Sequence, residues 1–406
     1  MMSKYSVRQW LVLSVLTLAN VFEASNASIM APFFPPEAEA KDVSPTIYGF
    51  IFGVYTLVMC VMSPIYGKLI NRVGLKNMFN VGLFVSSLAC TTFAFVGYIY
   101  NKQIFIGFSF INRIIGAAGH AAFTCGSFTI TAKEFPNNVG FAFGILELGF
   151  GLGLMIGPVI GGALYELGGF VVPFTGIGLL VMTFSFLSMG FLPGDKDEIS
   201  TSKDLSSTTG FMSIIRIPSS GIFLFALFAG ATCKGYLLTG LEVHIRQFKL
   251  SPLEIGAIFM VEGGFYSLTA PLWGKASGII KSPLTVLLFA CSVVFASFLI
   301  IGPVPFLPLA PSIPLVISAL AMFGFGLSGI MVVSFEGVLL AAKNYGFADN
   351  IGTHGLVSGI FVSTFSFGYF IGSSIGGILL DNFGFSMGTT VPIVMLCVVF
   401  ISFIIY

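Results

Sequence analysis

Long apolar runs separated by short polar segments make up most of this chain of 406 residues. Each run holds about 20 residues, and a helix of that length rises roughly 30 Å, the thickness of a bilayer core. The pattern predicts twelve membrane-spanning helices. Their predicted starts are Trp10, Ile47, Met78, Ile104, Val139, Phe170, Gly221, Leu253, Leu284, Ile313, Gly352 and Gly388.

The composition indicates what surrounds these helices. Hydrophobic residues make up 56% of the chain and charged residues 9%, whereas a soluble domain carries about 25% charged residues. Because so few charged residues cannot cover a water-facing surface, we expect lipid to cover most of the protein surface. The net charge of +1 gives no indication of nucleic-acid binding. The composition also excludes a disordered chain, a disulfide-stapled secreted domain and a single-span receptor.

The lysines and arginines predict the orientation, because they concentrate in cytoplasmic loops. With the N-terminus inside, twelve of the 18 lie in cytoplasmic segments, four lie outside, and Arg113 and Lys234 lie within spans. Both termini are therefore predicted to be cytoplasmic. The longest polar stretch predicts a cytoplasmic linker over residues 193–220, between an N-terminal six-helix bundle (1–192) and a C-terminal one (221–406).

The two halves repeat one another. Residues 44–68 return at an offset of 207 as residues 251–275, with Ser-Pro, Gly, Ile-Phe, Val, Pro and an aromatic-Gly-Lys end in the same places. Residues 157–170 return at an offset of 215 as residues 372–385. Two repeated segments at nearly the same offset predict duplicated six-helix bundles. Two such bundles with a site between them can alternate access across a membrane.

Two glycine-containing motifs carry a family resemblance. Residues 67–76, after the second span, resemble the loop signature of the major facilitator superfamily, although Asn71 stands where that signature has an acid. The fifth span resembles the glycine signature of the superfamily's antiporters. The alternatives are an ordinary positively charged loop and ordinary close helix packing. The candidate gating and motif residues are Gly67, Arg72, Gly74, Gly153, Gly157, Pro158 and Gly161.

The chain most closely resembles the vesicular amine transporters, and among them the polyamine branch. Residues 32–39 and 135–147 carry the resemblance, and Asn in the loop motif is typical of the same family. The resemblance implies a monomeric proton-coupled antiporter of cationic amines, such as spermine and spermidine, in a secretory or synaptic-type vesicle membrane. It implies no enzyme activity, cofactor or metal, and the chain shows no metal-ligand cluster or phosphate-binding loop.

Charged residues inside the bilayer are costly and therefore functional candidates. Five acids face two bases in the predicted spans, and an excess of carboxylates attracts cations. The acids are Glu23, Glu147, Glu242, Glu262 and Glu336, and the bases are Arg113 and Lys234.

The resemblance implies roles for these residues. Glu23, Glu242 and Glu336 are predicted to bind the amine, with Tyr55 and Tyr266 stacking on ammonium groups. Arg113, Glu147 and Glu262 are predicted to couple protons, Arg113 pairing with Glu147. The alternatives are structural: Glu23 bonded to Asn20 or Asn26, a static Arg113–Glu147 pair, a Glu262–Lys234 pair, and tyrosines in the core. His120 either titrates or packs as a neutral residue.

Three competing functions remain open on sequence alone. The same fold exports other organic or drug-like cations at the plasma membrane. An intramembrane enzyme needs acids that converge on two neighbouring helices, whereas these acids are spread over five. A receptor that transports nothing gives no reason for retaining costly carboxylates.

Overall fold

The computed structural model describes residues 6–30, 34–43, 45–192, 212–250, 252–280, 282–302 and 310–405. These residues form helices and short connections, with no strand among them. The helices are α1 Val7–Ser28, α2 Phe34–Glu39, α3 Pro45–Val73, α4 Leu75–Phe93, α5 Lys102–Glu134, α6 Val139–Gly168, α7 Val171–Phe191, α8 Pro218–Ile245, α9 Pro252–Ile280, α10 Pro283–Ile301, α11 Ile313–Asn344, α12 Ile351–Gly388 and α13 Thr390–Ile405. Most of the predicted linker lies outside the described residues.

Ten helices in the described ranges are long and apolar enough to cross a membrane, or eleven if one bent pair is a single span. That pair, Asn382–Gly388 and Thr390–Phe403, covers the predicted twelfth span. The predicted eighth span is α9, a helix of 29 residues that is not among the ten. Large apolar side chains such as Leu268, which is 70% exposed, face outward, as lipid contact requires. The predicted all-α membrane fold is confirmed.

The internal repeat extends to helix bounds and backbone conformation. Helices α3 and α9 are both 29 residues long, begin and end 207 residues apart, and contain Pro64 and Pro271 at the same offset. Gly169 and Gly384, 215 residues apart, have φ values of 68° and 74°. A side chain at either position would be strained, because residues with a Cβ avoid positive φ. The duplicated bundles predicted from the sequence therefore share their turns as well as their spans.

Contacts divide the chain into two compact units. Unit 1 comprises Met1–Pro136, Gly149–Ser207 and Asn350–Ser363, and unit 2 comprises Asn137–Leu148, Thr208–Asp349 and Thr364–Tyr406. Helices α6 and α12 are each divided between the units. Each unit thus consists of most of one sequence half and a short helical segment of the other half.

Glycines let helices approach to backbone contact at equivalent places in both units. In unit 1, a Cβ on Gly67 of α3 would lie 2.5 Å from the carbonyl oxygen of Gly355 in α12. In unit 2, a Cβ on Gly144 of α6 would lie 2.6 Å from the carbonyl oxygen of Ala270 in α9. We call these the paired glycine contacts. Their glycines are Gly67, Gly355 and Gly359 in unit 1, and Gly274, Gly140 and Gly144 in unit 2. The second set follows from the first by the offsets of 207 and 215.

The glycine motif of α6 lies against α1 within unit 1. A Cβ at Gly149 would lie 2.6 Å from the carbonyl oxygen of Thr17, and a Cβ at Gly153 would lie 2.7 Å from the Cβ of Ala24. A Cβ at Gly157 would lie 2.9 Å from the Cα of Ser25. Glycine at every fourth position therefore makes one face of α6 flat enough for α1 to pack on its backbone.

We expect Gly153→Ala to destabilise the protein by about 1–3 kcal/mol, the usual cost of overpacking a tight contact. The matched control is Gly162→Ala on the same helix, where a Cβ has no neighbour within 4 Å. Alanine raises helix propensity, so the control should be neutral or stabilising. Thermal unfolding of purified protein in detergent measures both. Equal melting temperatures for the two variants would contradict the packing role of Gly153.

Candidate functional site

Glu23 is a fully buried carboxylate in the core of unit 1, with 0% of its surface exposed. Its oxygens accept hydrogen bonds from the Ser86 hydroxyl and, at 3.4 Å, from the Asn26 amide. Asn26 also donates to Ser86 Oγ at 3.0 Å. Asn20, the other predicted partner, donates instead to Ser127 Oγ at 3.1 Å. Both of these hydrogen-bond donors to Glu23 are neutral groups.

His120 connects Glu23 to Tyr55. Its Nδ1 atom lies 3.5 Å from Glu23 Oε1 and 2.6 Å from the Tyr55 hydroxyl oxygen. The three side chains come from α1, α3 and α5, and all are buried. Helical spacing along α5 places His120 on the face that packs against α3 and α4. We refer to Glu23, Asn26, Tyr55, Ser86 and His120 as the Glu23 cluster.

Arg113 borders this cluster on the same helix as His120. Its guanidinium carbon lies 4.0 Å from the centre of the Tyr55 ring, a cation–π contact. Its Nε atom is buried and has no hydrogen-bond partner among the described residues. A small cavity of about 30 Å³ opens beside it. The polar side chains that line the cavity are Asn26, Tyr55, Ser86, Cys90, Asn112 and Arg113.

Unit 2 holds a second group of buried charges. The Tyr266 hydroxyl donates a hydrogen bond to the Glu147 carboxylate, and Lys234 forms an ion pair with Glu262. Glu262 and Tyr266 are four residues apart on one face of α9. We refer to Glu147, Lys234, Glu262 and Tyr266 as the Glu147 cluster. The Lys234–Glu262 pair is the structural alternative that the sequence left open for Glu262.

Glu336 of α11 lies apart from the Glu147 cluster. Its Oε2 atom is buried without a hydrogen-bond partner in the described chain, and a Cβ on Gly140 would collide with it. Gly140 is seven residues before Glu147, or about 10 Å along α6. Unit 2 therefore presents carboxylates at two levels. Glu242 belongs to α8, but its side chain lies outside the described residues.

The motif residues differ in conformation and exposure. Gly74 has a φ of 87° at the start of α4, so it forms the tight turn between the second and third spans. Arg72, two residues earlier, is exposed. Gly161 is buried, and the side chain of Pro158 lies outside the described residues.

The contacts of the predicted site residues differ from those that their implied roles require. Arg113 lies in unit 1 against Tyr55, whereas Glu147 lies in unit 2 with Tyr266, so the contacts within each unit give the two residues different partners. Tyr55 and Tyr266, predicted to stack on amines, each bond to an ionisable neighbour. No role was predicted for Ser86 from the sequence, although a serine hydroxyl in an apolar helix can donate a hydrogen bond to a buried acid.

A sequence profile decides the family. Residues 16–348 match the profile of the Major Facilitator Superfamily, which is most of the chain. The chain belongs to the major facilitator superfamily. Members of this superfamily are transporters, and the multi-pass helical fold agrees with that assignment.

Curated relatives place this major facilitator protein near the SLC18 transporters. The MFS-type transporter SLC18B1 of Mus musculus is 34% identical over 362 residues, covering 88% of this chain and 77% of the relative. The human SLC18B1 is 32% identical over 367 residues, covering 90% and 79%. The chromaffin granule amine transporter of Rattus norvegicus is 24% identical, covering 83% and 61%. The resemblance to this family predicted from the motifs is confirmed.

A solved structure agrees in fold. The human organic anion transporter MFSD10 (TETRAN) superposes with a TM-score of 0.73, covering 97% of this chain and 99% of that one. The two sequences are 15% identical, so the likeness concerns the fold alone.

Proposed function

We propose that this major facilitator protein is a proton-coupled antiporter of cationic amines, with polyamines such as spermine and spermidine as its substrates. It loads them into an acidic vesicle by alternating access. Glu23 carries the coupling step. Its role follows from one observation, the complete burial of its carboxylate among hydrogen-bonding groups that bear no fixed positive charge.

The chemistry of that burial explains the exchange. A carboxylate removed from water is strongly destabilised unless a proton or a cation neutralises it. A proton and a cationic amine can therefore neutralise such a carboxylate in turn, and its neutralisation does not require both at once. Competition of this kind is the simplest basis for exchanging one against the other, because the loss of one cation favours binding of the next.

The distribution of acids favours a substrate with several amines. Glu147 and Glu336 lie at two levels of unit 2, about 10 Å apart along α6. A polyamine can bind both, whereas a monoamine can bind one. Each additional charge-assisted hydrogen bond contributes about 1.5–3 kcal/mol, or roughly ten- to a hundredfold in affinity. The similarity to the chromaffin granule amine transporter of Rattus norvegicus supports amines as the substrate class and a granule as the location.

Purified protein in liposomes with an acidic interior tests this function. We expect uptake of radiolabelled spermidine that a protonophore abolishes, and competition that is strongest for spermine and spermidine. Serotonin, acetylcholine and glutamate, at equal concentrations, should compete about ten- to a hundredfold less well. Protein-free liposomes serve as the control. Stronger competition by serotonin would point to a general organic-cation exporter, and uptake that persists without a gradient would exclude proton coupling.

A further inference from the structure

We propose that Tyr55 and His120 form a proton relay that connects Glu23 to a water molecule in the cavity beside Arg113. This inference rests on the proposed function and assigns the route by which the coupling proton reaches the buried carboxylate. It makes His120 and Tyr55 proton-transfer residues, in place of a packed histidine and an amine-stacking ring.

The relay depends on one shared atom. Nδ1 of His120 lies within reach of both the Tyr55 hydroxyl, at 2.6 Å, and Glu23 Oε1, at 3.5 Å. A ring nitrogen either accepts a hydrogen bond or carries a proton and donates one. Nδ1 can therefore accept from Tyr55 in one state and donate to Glu23 in the other. A histidine bonded only to structural groups would need no second partner at the same nitrogen.

The transfer balances without any other reactant. A water molecule in the cavity takes up a proton from the lumenal side as it gives one of its own to the Tyr55 oxygen, while the Tyr55 O–H gives its proton to Nδ1 of His120. The N–H bond at Nδ1 then breaks as an O–H bond forms on Glu23. Net transfer moves one proton from the cavity to the carboxylate and restores both Tyr55 and the neutral imidazole.

The cavity supplies the entry point. Its volume of about 30 Å³ exceeds the roughly 10–15 Å³ that one water molecule needs. The buried Nε of Arg113 has no hydrogen-bond partner among the described residues, and a water oxygen would accept from it. Asn112 also lines the cavity and donates to Thr92 Oγ1 at 2.7 Å through its amide nitrogen, and its amide oxygen can accept from that water.

The ionisable groups around the relay come from four helices. Glu23 belongs to α1, Tyr55 to α3, Cys90 to α4, and Arg113 and His120 to α5. Cys90 donates to the Phe174 carbonyl at 3.5 Å and takes no part. Arg113 lies seven residues closer than His120 to the Lys102 end of α5, about 10 Å. Because that end is predicted to face the lumen, the relay would open toward the acidic side.

Two activities of the same liposomes separate the relay from a packing role. Uptake driven by an acidic interior requires proton delivery, whereas exchange of preloaded spermidine for external spermidine at equal pH does not. We expect Tyr55→Phe and His120→Gln to lower gradient-driven uptake by about tenfold or more, since a positioned proton-transfer group commonly contributes about 10²–10⁴-fold. Exchange should fall far less.

Matched controls lie in unit 2. Tyr236→Phe removes a buried hydroxyl that donates to the Phe385 carbonyl at 2.7 Å, and His244→Gln replaces a buried histidine that stacks on Phe385. Both should leave the two activities in their wild-type ratio. Tyr55→Phe, the milder change, decides the result if His120→Gln does not fold.

Each outcome has a distinct meaning. A fall in gradient-driven uptake with little change in spermidine exchange supports the relay. Equal loss of both activities in Tyr55→Phe would overturn it and restore Tyr55 as an amine contact, and unchanged uptake would also overturn it. If the wild-type protein exchanges spermidine but shows no response to a pH gradient, proton coupling itself fails.

Discussion

Glu23→Gln should abolish gradient-driven amine uptake while the protein still folds. Glutamine has nearly the shape of glutamate: its amide oxygen can accept from Asn26, and its amide nitrogen can donate to the Ser86 hydroxyl, which reverses that bond. It cannot bind or release a proton. Because a neutral side chain also costs less to bury than a carboxylate, stability should hold or rise. Spermidine uptake into acid-interior liposomes, normalised to the amount of folded protein, measures the effect.

Glu134→Gln is the matched control for this change. Glu134 ends α5 in the same unit and pairs with Arg8 at 3.3 Å, and the Glu134 and Arg8 side chains are 12% and 66% exposed. Because the cation of this pair is in contact with water, the pair contributes about 0–1 kcal/mol, so the control should transport normally. Uptake by Glu23→Gln at the wild-type rate would reduce Glu23 to a packing residue.

Removing one partner of the Lys234–Glu262 pair should cost far more stability than removing both. An uncompensated charge in a buried site costs about 3–5 kcal/mol. The side chains are 19% and 11% exposed, which places Lys234→Met and Glu262→Gln near the lower end. The double variant should recover most of the loss, because neither charge is then left alone. Thermal unfolding of all three variants in detergent gives the comparison.

Transport by the same double variant decides the role of Glu262. A structural pair predicts that the double variant both folds and takes up spermidine under a pH gradient. Recovery of folding without recovery of coupled uptake would assign proton coupling to Glu262. A double variant less stable than either single variant would show that packing, and not charge, dominates at this site.

The sequence alone was sufficient for the fold. Apolar runs of bilayer length predict the spans, and a repeat at two close offsets predicts the duplicated bundles, because both properties depend on residues near one another in the chain. The helix bounds of α3 and α9 match the repeat at both ends. The glycine motif likewise predicts close packing, since the absence of a side chain has one main consequence inside a membrane.

The partners of the buried charged residues were harder to predict from the sequence. Glu23 and His120 are 97 residues apart, and their contact depends on the rotation of α1 and α5 about their own axes. The pairing of Arg113 with Glu147 was predicted because the two lie on consecutive spans. Helix α6 is divided between the units, however, and Glu147 belongs to the segment that joins unit 2. Lys234 was easier to place, since it is the sole base in the predicted spans of the second half.

The paired glycine contacts correspond to one another through the internal repeat. Each contact joins a segment of one half to a segment of the other, and the two contacts exchange the same positions: Gly67 meets Gly355, and Gly274 meets Gly140. An isologous dimer of identical chains makes this reciprocal pattern, with one patch used twice. The internal repeat therefore uses one close helix contact twice, once in each unit.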